Sequence, residues 1–215
     1  MWKILKTVLG LLYIRYNNCR PVETIPNVDL QEFVKHTWYS QMQQEVAFQN
    51  SESFYCVTAT YNIEKNRTVP LFDGNVISVY NYANYDEVNG TPMNAKNGTV
   101  LCAKQIYPKV NSRFSVAPCN VVSVFGGPYW IIGLHENYEW LIVSGGQPRE
   151  EYDDGCTTKV NATNNAGLWI FSRNPIISKT HMKEATQLLR MKGYTLSQLK
   201  VVQQKGCQYD EAFIK

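Results

Sequence analysis

No two cysteines stand as a C-x-x-C pair, no Lys and Arg gather into a run, and no stretch is apolar enough to cross a bilayer. Each absence excludes something. Without paired cysteines, zinc-finger and thioredoxin-type readings lose their basis. A net charge of only +3, with no basic stripe, is not the footprint of a nucleic-acid partner. A spanning helix needs about 20 apolar residues, so no integral membrane span is expected. Repeats and long linkers are also missing, and 215 residues fit one domain. Histidine is scarce: His36, His135 and His181 fall in loop or helix contexts with no partner set for a catalytic triad. Asp153 and Asp154 read as a solvated loop rather than a carboxylate pair. No catalytic residue, metal site or cofactor is therefore expected.

Aromatic residues are what the chain has in quantity. They make up 13% of it, with 14 Tyr, against 18% charged residues. That balance favours a β-rich protein of extracellular type. At the N-terminus Lys3 and Lys6 precede an apolar stretch from Val8 to Ile14, of signal-peptide length. Arg15 and Tyr16 stand where small residues usually prepare cleavage, so an uncleaved anchor or a core helix is the alternative. Residues 1–18 are expected to be a signal peptide and residues 19–215 a single secreted domain. The cysteines at 19, 56, 102, 119, 156 and 207 are even in number, which points to disulfides made in an oxidising compartment. Six cysteines allow 15 pairings. Acceptor motifs for N-glycosylation occur at Asn66, Asn89, Asn97 and Asn161, all in loop-like surroundings.

From residue 38 onward, short strand-like runs alternate with turn signals. They are expected at Trp38–Ala47, Phe54–Ile63, Asn75–Asn84, Thr99–Tyr107, Phe114–Val124, Tyr129–Leu134, Trp140–Ser144 and Gly167–Ser172. A short helix is expected at Asp29–Lys35. A longer one is capped by Ser178 or Thr180, carries Met182, Ala185 and Leu189 on one face, and ends at Gly193. A last strand runs from Leu199 to Gln203. Eight strands at hairpin spacing suggest an antiparallel up-and-down barrel or a sandwich, with one C-terminal flanking helix. An eight-stranded barrel has an interior just wide enough for side chains or one small ligand. Alternation places Trp38, Ser40 and Met42 on one face, Val57, Ala59 and Tyr61 on another, and Tyr80 and Tyr82 on a third.

Three stretches resemble the lipocalin family, and within it the apolipoprotein D, insecticyanin and crustacyanin branch. The first is Cys19-Arg20-Pro21, then Val28-Asp29-Leu30, then Trp38-Tyr39. It is similar to the family's entry into its first strand, although His36 and Thr37 replace the usual glycine before the tryptophan. The second runs from Pro128 to Val143 and resembles the family's sixth-to-seventh-strand hairpin. Leu134-His135 stands where Thr-Asp is usual. The third, Leu168-Trp169-Ile170-Phe171-Ser172-Arg173-Asn174-Pro175, resembles the end of the family's last barrel strand. The tail Gly206-Cys207-Gln208-Tyr209-Asp210 also looks like this branch.

The resemblance implies an eight-stranded lipocalin barrel whose floor is Trp38 under a stacked Arg173, both structural. It implies Cys19–Cys156 and Cys56–Cys207. The third pair, Cys102–Cys119, is our own inference. A hairpin turning near Pro108 to Ser112 opposes positions whose numbers sum to about 221, as 102 and 119 do. The resemblance further suggests that Tyr61, Tyr80, Tyr82 and Trp169 point into the cavity, and Trp130 is added as a lining residue. The function expected is that of a secreted carrier of a small hydrophobic ligand of the retinoid, carotenoid, bilin, sterol or fatty-acid class. Inward hydroxyls would favour a ligand with a carbonyl or hydroxyl end. Two alternatives stand beside it. One is a defence or interaction lipocalin acting through loops such as Asn84 to Gly98. The other is a lipocalin-type isomerase or de-epoxidase, the isomerase needing a free cysteine nucleophile.

Overall fold

The computed structural model describes residues 19–64, 76–95, 98–107, 110–120 and 126–215. The expected signal peptide, Asn66 and Asn97 lie outside them.

Eight strands close the barrel: β1 (Trp38–Gln43), β2 (Tyr55–Glu64), β3 (Val76–Asn84), β4 (Val100–Tyr107), β5 (Val110–Pro118), β6 (Gly127–Leu134), β7 (Trp140–Ser144) and β10 (Leu168–Ser172). Each pairs antiparallel with its neighbour, and β10 returns to pair with β1. Closure removes the free edges that an open sheet would present. A small hairpin, β8 (Glu150–Tyr152) with β9 (Gly155–Thr157), stands apart from the barrel. The expected loop at Asp153 and Asp154 is its turn. β11 (Lys200–Val201) extends the sheet beside β1.

The barrel ladders carry four register shifts among the described residues, and those in β1 and β2 bear on the site. β1 is irregular between Ser40 and Met42, and it stops at Gln43, short of the expected Ala47. Strict alternation therefore fails on this strand. Trp38 faces the interior cluster, whereas Met42 packs on the outer one. β2 is irregular between Tyr55 and Thr58, with Cys56 at φ 54°. An inserted residue in one strand re-aims the side chains beyond it.

The floor is built from the chain entering the barrel. Asp29 caps α1 (Leu30–Phe33), accepting from the Gln31 and Glu32 amides. Phe33 packs against Trp38 and Tyr61, with ring centroids 5.9 and 4.8 Å away. The Trp38 indole N–H donates to the Phe33 carbonyl at 3.0 Å. Arg173, just past β10, lies over the Trp38 ring at 3.7 Å and donates to the carbonyls of His36, Glu32 and Phe33. Burial lowers its guanidinium to about 10, so it remains a cation at neutral pH.

Two covers lie on the outside. α2 (Lys179–Met191) is capped by Ser178, whose hydroxyl accepts from the His181 amide. Ala185 and Leu189 press onto Ile132, Trp140, Ile142 and Ile170. Gly193, at φ 81°, ends the helix where a side chain would be strained. The C-terminal tail covers the other side, over Tyr80 and Tyr82. Among the described residues no helix is long and apolar enough to cross a membrane.

Three disulfides tie these parts. Cys19–Cys156 joins the entering arm to β9, Cys56–Cys207 joins β2 to the tail, and Cys102–Cys119 joins β4 to the end of β5. The expected register of the third is corrected: Cys102 faces Ala117, not Cys119. Cys119 sits beyond the last paired residue, Pro118. There the chain turns off the strand and brings its Cα to 4.8 Å from that of Cys102.

Candidate ligand-binding site

Inside the barrel is a cavity of about 290 Å³, near the lower end of the ~300–1,000 Å³ typical of ligand pockets. Its wall is mostly apolar: Val57, Ala59, Val79, Leu101, Val116 and Phe171. Tyr61, Tyr129 and Trp169 add aromatic surface, and among the described residues no charged side chain lines it. Tyr129 and Trp169 stack with centroids 6.4 Å apart. Gly167 makes this arrangement possible. A Cβ there would meet the Trp169 ring at 2.0 Å, and its φ of 99° suits glycine alone. The mouth is polar, with Gln49, Thr163, Asn164 and Asn165, and Phe48 stands there 56% exposed.

Polar groups inside are few and specific. The Tyr61 and Tyr129 hydroxyls lie 2.6 Å apart. Burial raises both phenols well above their ordinary range, so both stay neutral. One hydroxyl donates to the other, which leaves the acceptor's own proton available. Gln43 is fully buried on the wall. Its Oε1 accepts from Ser40 Oγ at 2.8 Å, and its Nε2 has no partner. An unpaired buried donor costs about 1–3 kcal/mol. That atom is covered by its neighbours, so a ligand oxygen reaches it only if the side chain turns toward the open space.

Of the five side chains expected to face the ligand, Tyr61 and Trp169 line the cavity. Tyr80, Tyr82 and Trp130 do not, and these three are corrected. Strand β3 presents Val79 and Asn81 inward, because paired neighbours share a face and Asn81 is registered on Ala59, itself opposite Trp38. Tyr80 and Tyr82 therefore face outward, packed with Cys56, Tyr209 and Ala212. On β6 the inward ring is Tyr129. Trp130 is on the outer face under Arg113, whose guanidinium sits 4.7 Å from the ring centre. Gln43 and Tyr129 were missed because a Gln in a strand and a Tyr beside a Trp carry no inward mark. Trp38 and Arg173 meet at the floor rather than the cavity. Asn89 and Asn161 are exposed, and the Asn89 amide bonds the Gly206 carbonyl and the Gln208 N–H.

Strand order, closure, floor and flanking helix together match one architecture. This is the lipocalin fold. No family model matches the chain. Among curated proteins it is similar to Putative lipocalin R877 of Acanthamoeba polyphaga mimivirus, at 27% identity over 186 residues, 84% of this chain and 87% of that protein. Among solved structures it resembles apocrustacyanin C1, with a TM-score of 0.55 and 16% identity over 85% of this chain and 83% of that one. Insecticyanin from the tobacco hornworm Manduca sexta superposes at TM-score 0.54 and 14% identity, covering 89% and 90%. The cockroach allergen Per a 4 does so at 0.53 and 14%, covering 87% and 96%. At these identities the structural likeness speaks for the fold.

Proposed function

We propose that this chain is a secreted lipocalin that carries one small, neutral, largely apolar molecule bearing an acceptor oxygen. The observation behind this reading is the uncharged, mostly apolar cavity, with Gln43 Nε2 unpaired just behind its wall. A carbonyl or hydroxyl oxygen that draws the Gln43 amide out to itself, with the remainder against Val79, Leu101 and Trp169, suits this wall. A fatty acid carboxylate suits it less, since among the described residues no cation lines the cavity to offset its desolvation. Three disulfides fit an oxidising compartment and support secretion. Carriage is preferred to isomerisation because all six cysteines are bonded and leave no thiolate.

Fluorescence titration tests this reading. Retinol should bind with micromolar or tighter affinity and quench Trp169, and the quench should persist in Trp130→Phe and vanish in Trp169→Phe. Gln43→Leu should bind retinol several-fold more weakly and leave binding of a plain hydrocarbon unchanged. Failure of retinol, ketone and hydrocarbon probes alike to bind would overturn the carrier reading.

A further inference from the structure

Read along the chain, the histidines share no partner set; in the fold, two of them meet. His135 sits on the turn after β6, and His181 on the first turn of α2, with ring centroids 4.9 Å apart. Glu184 comes three residues after His181, so both project from one face of the helix toward the hairpin. A ligand atom from each of His135, His181 and Glu184 lies within 4.8 Å of the other two. We propose that these residues form a site for a divalent transition-metal ion, with Zn²⁺ the species their donors fit best.

Two imidazole nitrogens and one carboxylate oxygen make up the donor set of three-ligand zinc sites. Bonds of about 2.0–2.2 Å place tetrahedral donors roughly 3.3–3.5 Å apart, so the three groups need to close by little more than an ångström. The surroundings allow this. Trp140 donates its indole N–H to Glu184 Oε2 at 3.1 Å, which orients the carboxylate and leaves Oε1 free for the metal. A partner of this kind behind the ligand is how metal sites fix their geometry. The His135 ring accepts a long hydrogen bond at Nδ1 from the Asn137 amide, at 3.3 Å. Its ring lies beside Trp140, at 5.9 Å, on the wall that Glu184 also uses. The ion would join the helix to the β6–β7 turn, outside the barrel, and three protein ligands leave a fourth position for water or an outside donor. The site is separate from the cavity, so it stands whether or not the cavity carries a ligand.

Calorimetric titration of the chelator-stripped, disulfide-intact protein with ZnCl₂ is the test. The expected result is one ion per chain with micromolar or tighter affinity, and a melting temperature that rises with Zn²⁺ and falls back with EDTA. His181→Ala should weaken binding at least about tenfold. Glu184→Gln should do likewise, although its amide oxygen can still accept from Trp140, so the metal-free melt should match the parent. Co²⁺ should give the visible bands of a four-coordinate ion. No saturable binding by the parent, or equal binding by parent and both variants, would overturn the proposal.

Discussion

The inner and outer faces of the barrel wall are both apolar, both aromatic and both largely buried, yet they do different things. Inside, Trp38, Tyr61, Phe114 and Leu141 belong to the cluster below and around the cavity, with Tyr129 and Trp169 packed against it. Outside, Trp140, Ile142 and Ile170 lie under α2, and Tyr80 and Tyr82 lie under the tail. The inner face keeps open space and an unpaired donor. The outer face is filled by helix and tail, and its polar atoms are largely used. Tyr80 Oη donates to the Asn94 carbonyl, Tyr194 Oη to Ser144, and Tyr209 Oη to Gln204. Aromatic content thus marks burial on either side, and what separates the sides is open space, because unpaired buried polar atoms occur on both: Gln43 Nε2 inside and Trp130 Nε1 outside.

The comparison breaks most visibly where a cover can be released. Cys56–Cys207 closes a sequence separation of 151 residues, and removing it with Cys56→Ala and Cys207→Ala should cost about 3–5 kcal/mol in urea unfolding. Because Tyr80 and Tyr82 face the tail, retinol affinity measured below the unfolding range should change less than threefold. Loss of binding in the folded double variant would mean that these tyrosines serve the cavity after all.

Alkaline unfolding asks whether the two faces are equally dry. Burial raises the phenols of Tyr61 and Tyr129 inside, and those of Tyr194 and Tyr209 outside. A group whose folded pKa lies above its unfolded value contributes stability that is intact below the unfolded value, about 10 for tyrosine. That stability declines as pH rises from there toward the folded value. Arg173, Lys104 and Lys215 act oppositely, since burial depresses their folded values and so favours folding as pH rises, but Tyr39, Tyr80 and Tyr138 are raised as well, so the tyrosines outnumber the bases. Urea midpoints should fall steadily from pH 9.5 upward, with tyrosinate absorbance at 295 nm lagging until unfolding. Full ionisation of all tyrosines in the folded protein would show that one face is wet.

Much of this architecture was legible. Six barrel strands lie within two residues of an expected run, whereas β1 ends four residues early and β5, expected at Phe114–Val124, runs from Val110 to Pro118; Ser178 and Gly193 bound α2 where cap chemistry put them. The faces were harder to read. Parity along one strand says which residues share a side but not which side, and the Ser40–Met42 bulge breaks parity on β1. In the fold Cys102 is registered on Ser78, and positions 78, 80 and 82 share the side turned away from the cavity, but nothing in the sequence marks that register. The bulges, the extra β8–β9 hairpin and the meeting of His135 with His181 are set by packing between distant segments. No local pattern carries them.

The smallest effect tests the comparison most finely, because the same pair of residue types occurs on both faces. Arg173 covers Trp38 at 3.7 Å, and the indole is fully buried with three carbonyls accepting from the guanidinium. Arg113 covers Trp130 at 4.7 Å on the outside, with Nε donating to Thr24 at 3.3 Å, and that ring is only partly buried. A cation over a ring is worth about 0.5–1 kcal/mol when exposed and about 2 when desolvated. Arg173 also bears a desolvation cost, visible in its lowered pKa, which trims the net gain. Arg173→Ala should therefore destabilise by about 1–2 kcal/mol, and Arg113→Ala by less than about 1. Arg173→Lys should fall between parent and Ala, since it keeps the charge and loses the planar stack. Neither alanine variant should alter retinol affinity, because neither arginine lines the cavity. Melts of Arg173→Ala that match the parent would reject the floor stack. Equal losses at both sites would mean that burial of the ring adds nothing to the interaction.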